Sequence, residues 1–345
     1  MPRLVRRRGD RHDGRRPQPM SRLSLLLATV LAALIVCAVS FGEAPLSLAQ
    51  YRQAFTDPLS GPGLVMWQVR APRAACAALV GAALGLAGAV LQGLLRNPLA
   101  DPGVLGVSAT AALAAALAIV AGAAVAPGVV EGAALLGAGS AGALLVAVSM
   151  RVRAPEALIL FGVALSAFAG AATALIFNLS PSPIASAEVM NWLLGSVQNR
   201  SWTDAAWVAP LLAAAGLLAR AAAPGLRMLT LGEETAATSG LAMGRIRVLA
   251  LAGATLAAGA AVAVSGVIGF VGLAAPHLVR GLVRGDAGRI LTPSALVGAC
   301  MLTGADLLAR ITPTEQELKL GVFTALVGAP LFAFIAWRAA KEWRL

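Results

Sequence analysis

Long runs of apolar residues recur along the whole chain, separated by short polar stretches. Each run is about 20 residues long, which is the length that a helix needs to cross a hydrocarbon layer roughly 30 Å thick. The runs do not alternate between apolar and polar positions as the strands of a membrane barrel do, so helices are the remaining way to span a bilayer. We therefore predict an all-α, polytopic membrane protein with about ten spanning segments, at residues 21–41, 73–95, 103–125, 128–150, 155–179, 203–223, 246–266, 267–284, 290–309 and 320–338.

Composition supports this fold class. The chain of 345 residues is 59% hydrophobic and 12% charged, whereas roughly a quarter of the residues of a soluble domain are charged. Three cysteines, Cys37, Cys76 and Cys300, lie far apart inside or beside apolar segments, and there are two histidines. We therefore do not expect a transport site in which Cys and His hold a bare metal ion.

The placement of charge predicts the orientation of the chain. Eight of the 27 Lys and Arg residues lie within the first 22 positions, and we interpret residues 1–20 as a basic, disordered cytoplasmic N-terminus. Residues 21–338 form the predicted transmembrane domain, and residues 339–345 a cytoplasmic tail. With both termini inside, most cationic residues lie on the cytoplasmic side, and six lie outside: Arg52, Arg70, Arg73, Arg200, Arg310 and Lys319. Because the membrane explains the basic flank, we do not predict nucleic-acid binding.

Three glycines in the second segment form a pattern of their own. Gly81, Gly85 and Gly88 fall on one helical face. Small residues at this spacing let membrane helices approach closely, so we expect this face to pack against another helix. A GC-rich genome, which favours Ala and Gly codons, is the alternative explanation.

The chain lacks the residues that nucleotide chemistry needs. No GxxxxGK[ST] motif is present, and the only lysines, Lys319 and Lys341, do not follow a glycine. Such a loop is what cradles and neutralises nucleotide phosphates, so ATP-driven transport would need a separate subunit that uses ATP. We predict neither an enzyme nor a cofactor site in this chain.

Two other classes of protein remain as alternatives. A proton-coupled secondary transporter would need several carboxylates near mid-membrane, because intramembrane acids are costly and usually functional. Asp306 instead lies near a segment end, four residues before Arg310, so the two side chains could pair on one helix face. A membrane enzyme could use Ser265 as nucleophile and His277 as base, although the predicted topology puts them near opposite faces.

The inner loop at about 228–246 is too long and polar for a plain turn. Thr230 and Glu233 have the spacing of a capping box, and Gly240 and Gly244 could each end a short helix. Such a pair of short helices would be a docking surface for a partner protein. An ordinary connecting loop explains the residues equally well.

The outer arginines Arg70, Arg73 and Arg310 depart from the usual charge bias. They could meet acidic groups of a partner through charge-assisted contacts. Lipid headgroups are the alternative partner and, for Arg310, so is Asp306. The residues alone leave this question open.

Several motifs resemble, in order, those of one protein family. They are Arg70-Ala71-Pro72-Arg73, the stretch 79–113, Met190-Asn191-Trp192-Leu193-Leu194-Gly195, Leu231-Gly232-Glu233-Glu234-Thr235, the stretch 265–277, Ala305-Asp306-Leu307-Leu308-Ala309-Arg310, and Glu317–Val322 leading to Gly328-Ala329-Pro330. Together they resemble the FecCD-type permeases, the membrane subunits of importers for cobalamin, ferric siderophores and haem. The resemblance spans roughly residues 65–338.

The resemblance implies a ten-helix subunit of a bacterial inner-membrane importer. It implies a homodimer with the translocation path at its interface, two cytoplasmic ATP-binding subunits and a periplasmic substrate-binding protein. Among cargoes, a ferric siderophore comes first, with haem and cobalamin as alternatives.

The resemblance also implies roles for particular residues. It places Arg70, Arg73 and Arg310 at the docking site of the binding protein. Glu315 and Glu317 lie close to that site and could neutralise Arg310. The residues expected to contact the ATPase are Leu231, Gly232, Glu233, Glu234, Thr235, Gly240 and Arg245.

Overall fold

The computed structural model describes residues 22–342, except for 153, 284–285 and 313–316. The predicted N-terminal segment 1–20, Glu315 and the end of the predicted tail lie outside the described residues. The described part is all-helical, without strands, which confirms the predicted fold class. Its helices are α1 Arg22–Ser40, α2 Leu48–Thr56, α3 Gly61–Leu95, α4 Val107–Val120, α5 Val129–Arg151, α6 Pro155–Leu179, α7 Pro183–Leu193, α8 Trp202–Leu229, α9 Glu233–Thr238, α10 Met243–Ser265, α11 Val271–Arg280, α12 Leu291–Ile311 and α13 Leu320–Glu342.

Each predicted segment corresponds to a helix, but not every helix has spanning length. Among the described residues, seven helices are long and apolar enough to cross a membrane: α1, α3, α5, α6, α8, α10 and α12. The expected eighth segment, 267–284, is wrong in length, because α11 is a helix of 10 residues and therefore only about 15 Å long. Gly266 and Phe270 both have a φ of 68°, a left-handed conformation that interrupts the helical ladder, and a hydropathy pattern does not register such a break.

The start of α3 also differs from the prediction. We expected the second segment to begin at residue 73, but the helix begins at Gly61 and passes through a π-helical stretch, Val65–Arg70. Pro72 explains this stretch, because its ring removes a backbone donor and disturbs the α-helical ladder. The amide of Ala71 donates to the carbonyl of Met66, and the carbonyl of Trp67 accepts from Trp202 Nε1 at 2.9 Å.

The core of the molecule surrounds α3, which packs against α8, α10, α11 and α12. A Cβ at Gly81 would overlap the carbonyl oxygen of Gly298 on α12, and one at Gly85 that of Ser294. A Cβ at Gly88 would overlap the carbonyl oxygen of Gly272 on α11. The predicted close packing of this glycine face is confirmed.

Helix α6 lies at the periphery and packs mainly on α4. Its buried residues form one narrow stripe: Leu158, Gly162, Ala169 and Thr173. Most of its large apolar side chains point outward, including Leu160, Phe168 and Leu175. An open apolar groove of about 430 Å³ separates α4, α6 and α7, and its lining residues are Ala109, Ala112, Gly170, Thr173, Ala174, Phe177, Met190, Leu193 and Val267.

Candidate functional sites: the arginine cluster and the coupling loop

Five charged side chains meet where α3, α12 and the segment before α13 come together. They are Arg70, Arg73, Asp306, Arg310 and Glu317, which we call the arginine cluster. Both Arg70 and Arg73 come from α3, on either side of the Ala71-Pro72 step, whereas Asp306 and Arg310 are one helical turn apart on α12. The cluster is buried, and the exposed fractions of the three arginines are 4%, 8% and 5% in sequence order.

Arg73 is held by two carboxylates. Its Nε and Nη2 donate to Asp306 Oδ1 at 2.9 and 2.8 Å. Its Nη1 donates to Glu317 Oε2 at 3.1 Å, and Nη2 also contacts Glu317 Oε1. This two-point contact is the arrangement that makes Arg–carboxylate pairs strong.

Asp306 joins two arginines with its two oxygens. Oδ1 accepts from Arg73, and Oδ2 lies 2.9 Å from Arg310 Nη2. Of the partners that the sequence left open for Arg310, Asp306 is therefore one that the structure shows. Asp306 has no exposed surface, and removing it would leave two buried cations without this partner, a costly change in a low-dielectric interior.

Donors of Arg310 and Arg70 cap the end of α1. Arg310 Nη1 donates to the carbonyl of Ala38 at 3.0 Å. Arg70 Nη1 donates to the carbonyls of Val39 and Ser40, at 3.4 and 2.6 Å, and its Nη2 contacts that of Ala44. The last carbonyls of a helix have no partner within the helix and carry a partial negative charge, so these guanidinium groups both satisfy and neutralise the C-terminus of α1.

These contacts bear on the docking prediction. We expected Arg70, Arg73 and Arg310 to be exposed at the mouth of the protein, and in this conformation all three are buried. For Arg70 and Arg73 the reason is that α3 begins twelve residues earlier than expected, so that both lie inside the helix and not at its tip. Glu317 also pairs with Arg73, whereas we expected it near Arg310. The docking role itself stays a prediction.

The inner loop at about 228–246, which we call the coupling loop because contact with the ATPase is predicted there, contains a single short helix with exposed flanks. Helix α9 follows α8 after three residues, and its Ala236 is fully buried while Leu231, Glu234, Thr235 and Gly240 are exposed. The expected end of this helix is confirmed, because Gly240, just beyond it, has a φ of 77°, as a left-handed C-terminal glycine does.

Two expectations about this loop are wrong. Thr230 is not an N-cap: its hydroxyl donates to the carbonyl of Arg227 at 2.6 Å, which closes α8, and Gly232 precedes α9. The expected second short helix is absent, since Gly244 and the exposed Arg245 lie in the first turn of α10. The tail of α8 and the start of α10 thus leave room for one short helix only.

The opposite end of α3 holds polar contacts that sequence reasoning missed. Gln92, buried in α3, donates to the carbonyl of Leu273 at 3.3 Å and accepts from Arg280 Nη2 at 2.7 Å. Nearby, Arg227 Nε donates to Asp286 Oδ1 at 3.0 Å. A Gln within an otherwise apolar segment was the available signal for the first of these contacts.

The candidate enzyme residues do not form a reactive pair. Ser265 Oγ donates to the carbonyl of Ala261 at 2.9 Å, a local helix contact. His277 lies twelve residues further along the chain, in α11, beyond the break between the two helices, and it is not a hydrogen-bond partner of Ser265 in the described contacts. The all-helical fold, with seven described helices of spanning length, is that of a polytopic membrane protein.

Comparison with known proteins identifies the family. Residues 30–338 match the FecCD transport family, and the chain belongs to that family. A solved structure described as an inward-facing metal-chelate type ABC transporter superposes with a TM-score of 0.79 at 32% identity, covering 92% of this chain and 99% of that one.

Relatives extend over most of the chain. The vitamin B12 import permease BtuC of Vibrio cholerae is 38% identical, covering 93% of this chain and 95% of its own length. The Fe(3+) dicitrate permease FecD of Escherichia coli is 35% identical, with 92% and 98% covered. YvrB of Bacillus subtilis, an uncharacterised ABC transporter permease, is 40% identical, with 81% and 80% covered.

Proposed function

We propose that this chain is the permease subunit of an ATP-driven importer of metal chelates in a bacterial inner membrane. The likeness in fold to a metal-chelate transporter, over nearly the whole of both chains, is the main support. Among chelates, a ferric siderophore is our first candidate and haem or cobalamin the alternatives, because relatives carry names from all three groups.

ATP would be bound by a separate pair of subunits that contact α9. This helix is exposed, is held to the rest of the chain through Ala236, and begins with the acidic pair Glu233 and Glu234. Movement of the ATP-binding subunits would displace this helix and, with it, the ends of α8 and α10 that it joins. The proposed contact residues remain Leu231, Gly232, Glu233, Glu234, Thr235, Gly240 and Arg245.

The chain would work as a homodimer that meets through α6 and α13. Helix α6 buries little within the subunit, and most of its large apolar side chains are exposed. In the part of α13 whose side chains are described, Val322, Leu326 and Val327 are exposed. The groove between α4, α6 and α7 lies beside this face and would form part of the translocation path. Its lining is almost entirely apolar, which suits a bulky chelate better than a bare ion.

The periplasmic binding protein would dock over the arginine cluster. In the conformation described here Arg73 is already paired, so docking through that residue requires a change in the cluster. The proposal therefore keeps Arg70, Arg73 and Arg310 as the docking residues, but they can bind the partner only after the cluster has changed.

Transport in liposomes tests the proposal. The chain reconstituted with its ATPase and binding protein should take up chelate only when ATP is present, and Glu233→Lys with Glu234→Lys should lower uptake per ATP hydrolysed by about tenfold or more, since like charges cost several kcal/mol at an interface. Glu156→Lys, an exposed acid on the same predicted side, is the matched control. Uptake by this chain alone under a proton gradient would instead favour a secondary transporter.

A further inference from the structure

The two carboxylates that hold Arg73 differ in how firmly they are themselves held. Asp306 lies within helix α12, is fully buried, and also contacts Arg310. Glu317 lies outside any helix, three residues before α13, and its only described ion-pair partner is Arg73. Of the two acids, Glu317 is therefore the one that can leave without dismantling the helix packing.

Besides the ion pair of Glu317, the start of α13 is held by the buried side chain of Leu320, whose exposed fraction is 1%, and by two backbone contacts of Gly321. The amide of Gly321 donates to the carbonyl of Gly195 at 3.3 Å, in the link between α7 and α8. Gly321 also lies against the carbonyl of Val267, in the link between α10 and α11. Further along, Leu326 and Val327 are exposed. The pair between Glu317 and Arg73 thus ties the start of α13 to α3, which together with α10 has the largest buried share among the described spanning helices.

We propose that Glu317 is a latch: it positions the start of α13 and keeps Arg73 closed to external carboxylates until a carboxylate of the docking protein takes its place. The inference rests on the proposed docking function. With Glu317 in place, the cluster has three cations and two anions, and the departure of Glu317 leaves a larger positive excess facing the partner. Docking and movement of α13 are then one event, because the same guanidinium group takes part in both.

Neutralising the latch should release α13 without any partner. The full chain in lipid nanodiscs would be compared with Glu317→Gln and Glu317→Ala by hydrogen-exchange mass spectrometry. Loss of a charged hydrogen bond should speed amide exchange over residues 317–327 by about tenfold. Glu43→Gln, which removes an exposed acid near the C-terminus of α1, should leave this exchange unchanged.

Chemical access to Arg73 gives a second readout. The rate at which phenylglyoxal modifies Arg73, followed by mass spectrometry, should rise severalfold in both Glu317 variants and stay at the wild-type value in Glu43→Gln. Slow exchange in the peptides of α3 would show that the variants keep their fold. Unchanged exchange over 317–327 together with unchanged modification of Arg73 would overturn the latch.

A failure of the docking proposal can be distinguished from a failure of the latch. If Arg73→Lys leaves binding of the partner binding protein unchanged, docking does not use Arg73. The proposal that a carboxylate of the docking protein replaces Glu317 is then overturned, even where Glu317→Gln loosens α13. If Arg73→Lys weakens docking but Glu317→Gln neither loosens α13 nor tightens docking, the docking site stands and the latch does not.

Discussion

Helices α3 and α6 are equally apolar by mean hydropathy, yet they are buried within the subunit to very different extents. In the most apolar 18-residue window of α3, 78% of the residues are buried inside the subunit, whereas in α6 the figure is 17%. Hydropathy therefore determines that both helices enter the membrane, but it does not determine which one forms the core. Lipid tails are as apolar as Leu, so between membrane helices there is little hydrophobic gain and packing decides.

The size of the side chains explains the difference. Gly81, Gly85 and Gly88 let α3 approach the backbones of α12 and α11 to a distance that no Cβ allows. On α6, Gly162 meets Leu105, but a Cβ at Gly170 would meet no neighbour. The outward side chains of α6 are instead large, which is what a surface offered to lipid or to a second subunit requires.

The largest expected effect comes from the charged end of the α3 contact. Asp306→Ala should lower the free energy of unfolding by about 3–5 kcal/mol, because Arg73 and Arg310 stay buried after losing a shared anion. Reversible unfolding in mixed micelles would measure the change. Glu188→Ala on α7, an exposed acid of the loosely packed side, should change it by less than about 0.5 kcal/mol. Similar losses at the two positions would contradict a packed core held at this end.

A single methyl group should separate tight from open glycines. Gly81→Ala should cost about 1–3 kcal/mol, since the new Cβ overlaps the backbone of α12 and the helices must move apart. Gly139→Ala on α5 is the matched control, because its Cβ would meet nothing within 4 Å, and Ala is the better helix former by up to about 1 kcal/mol. The same unfolding measurement applies, and a stabilised Gly81→Ala variant would show that α3 and α12 are less closely packed.

These features were unequally accessible from the sequence. The glycine face and the pair between Asp306 and Arg310 follow from helical spacing, which is local. The contact between Arg73 and Glu317 joins residues 244 positions apart, and no local pattern carries that information. The burial of the arginines was missed for a related reason: the helix extends back to Gly61 through a π-helical stretch, whereas the hydropathy pattern only suggests a start near the arginines.

The edge of the packed region contains an acid whose protonation should affect stability. Asp101 lies in the link between α3 and α4, where burial raises the pKa of its carboxyl to about 6, while a hydrogen bond from the amide of Gly103 acts in the opposite direction. An acid with a raised pKa binds its proton more tightly in the folded state, so it stabilises the fold at low pH and this contribution is lost as the pH rises from about 4 through 6.

Asp101→Asn should remove that loss. Because the residue is partly exposed, we expect the variant to exceed the wild type by only about 1 kcal/mol at pH 7.5, with the difference shrinking towards pH 4. Unfolding free energies measured across this range would show the wild type falling and the variant nearly level. A difference that does not vary with pH would mean that the carboxyl of Asp101 titrates normally.

The smallest effect on subunit stability is expected on α6, where the comparison is most open to contradiction. Leu160→Ala combined with Phe168→Ala removes two side chains with exposed fractions of 72% and 69%, so unfolding of the subunit should change by no more than about 0.5 kcal/mol. If this face meets a second copy, the dimer fraction in detergent, measured by analytical ultracentrifugation, should nevertheless fall. Leu136→Ala on α5, exposed at 77%, should alter neither quantity. Loss of subunit stability without loss of dimer would mean that α6 supports the fold from within, in spite of its narrow buried stripe, and that the contrast with α3 is one of degree.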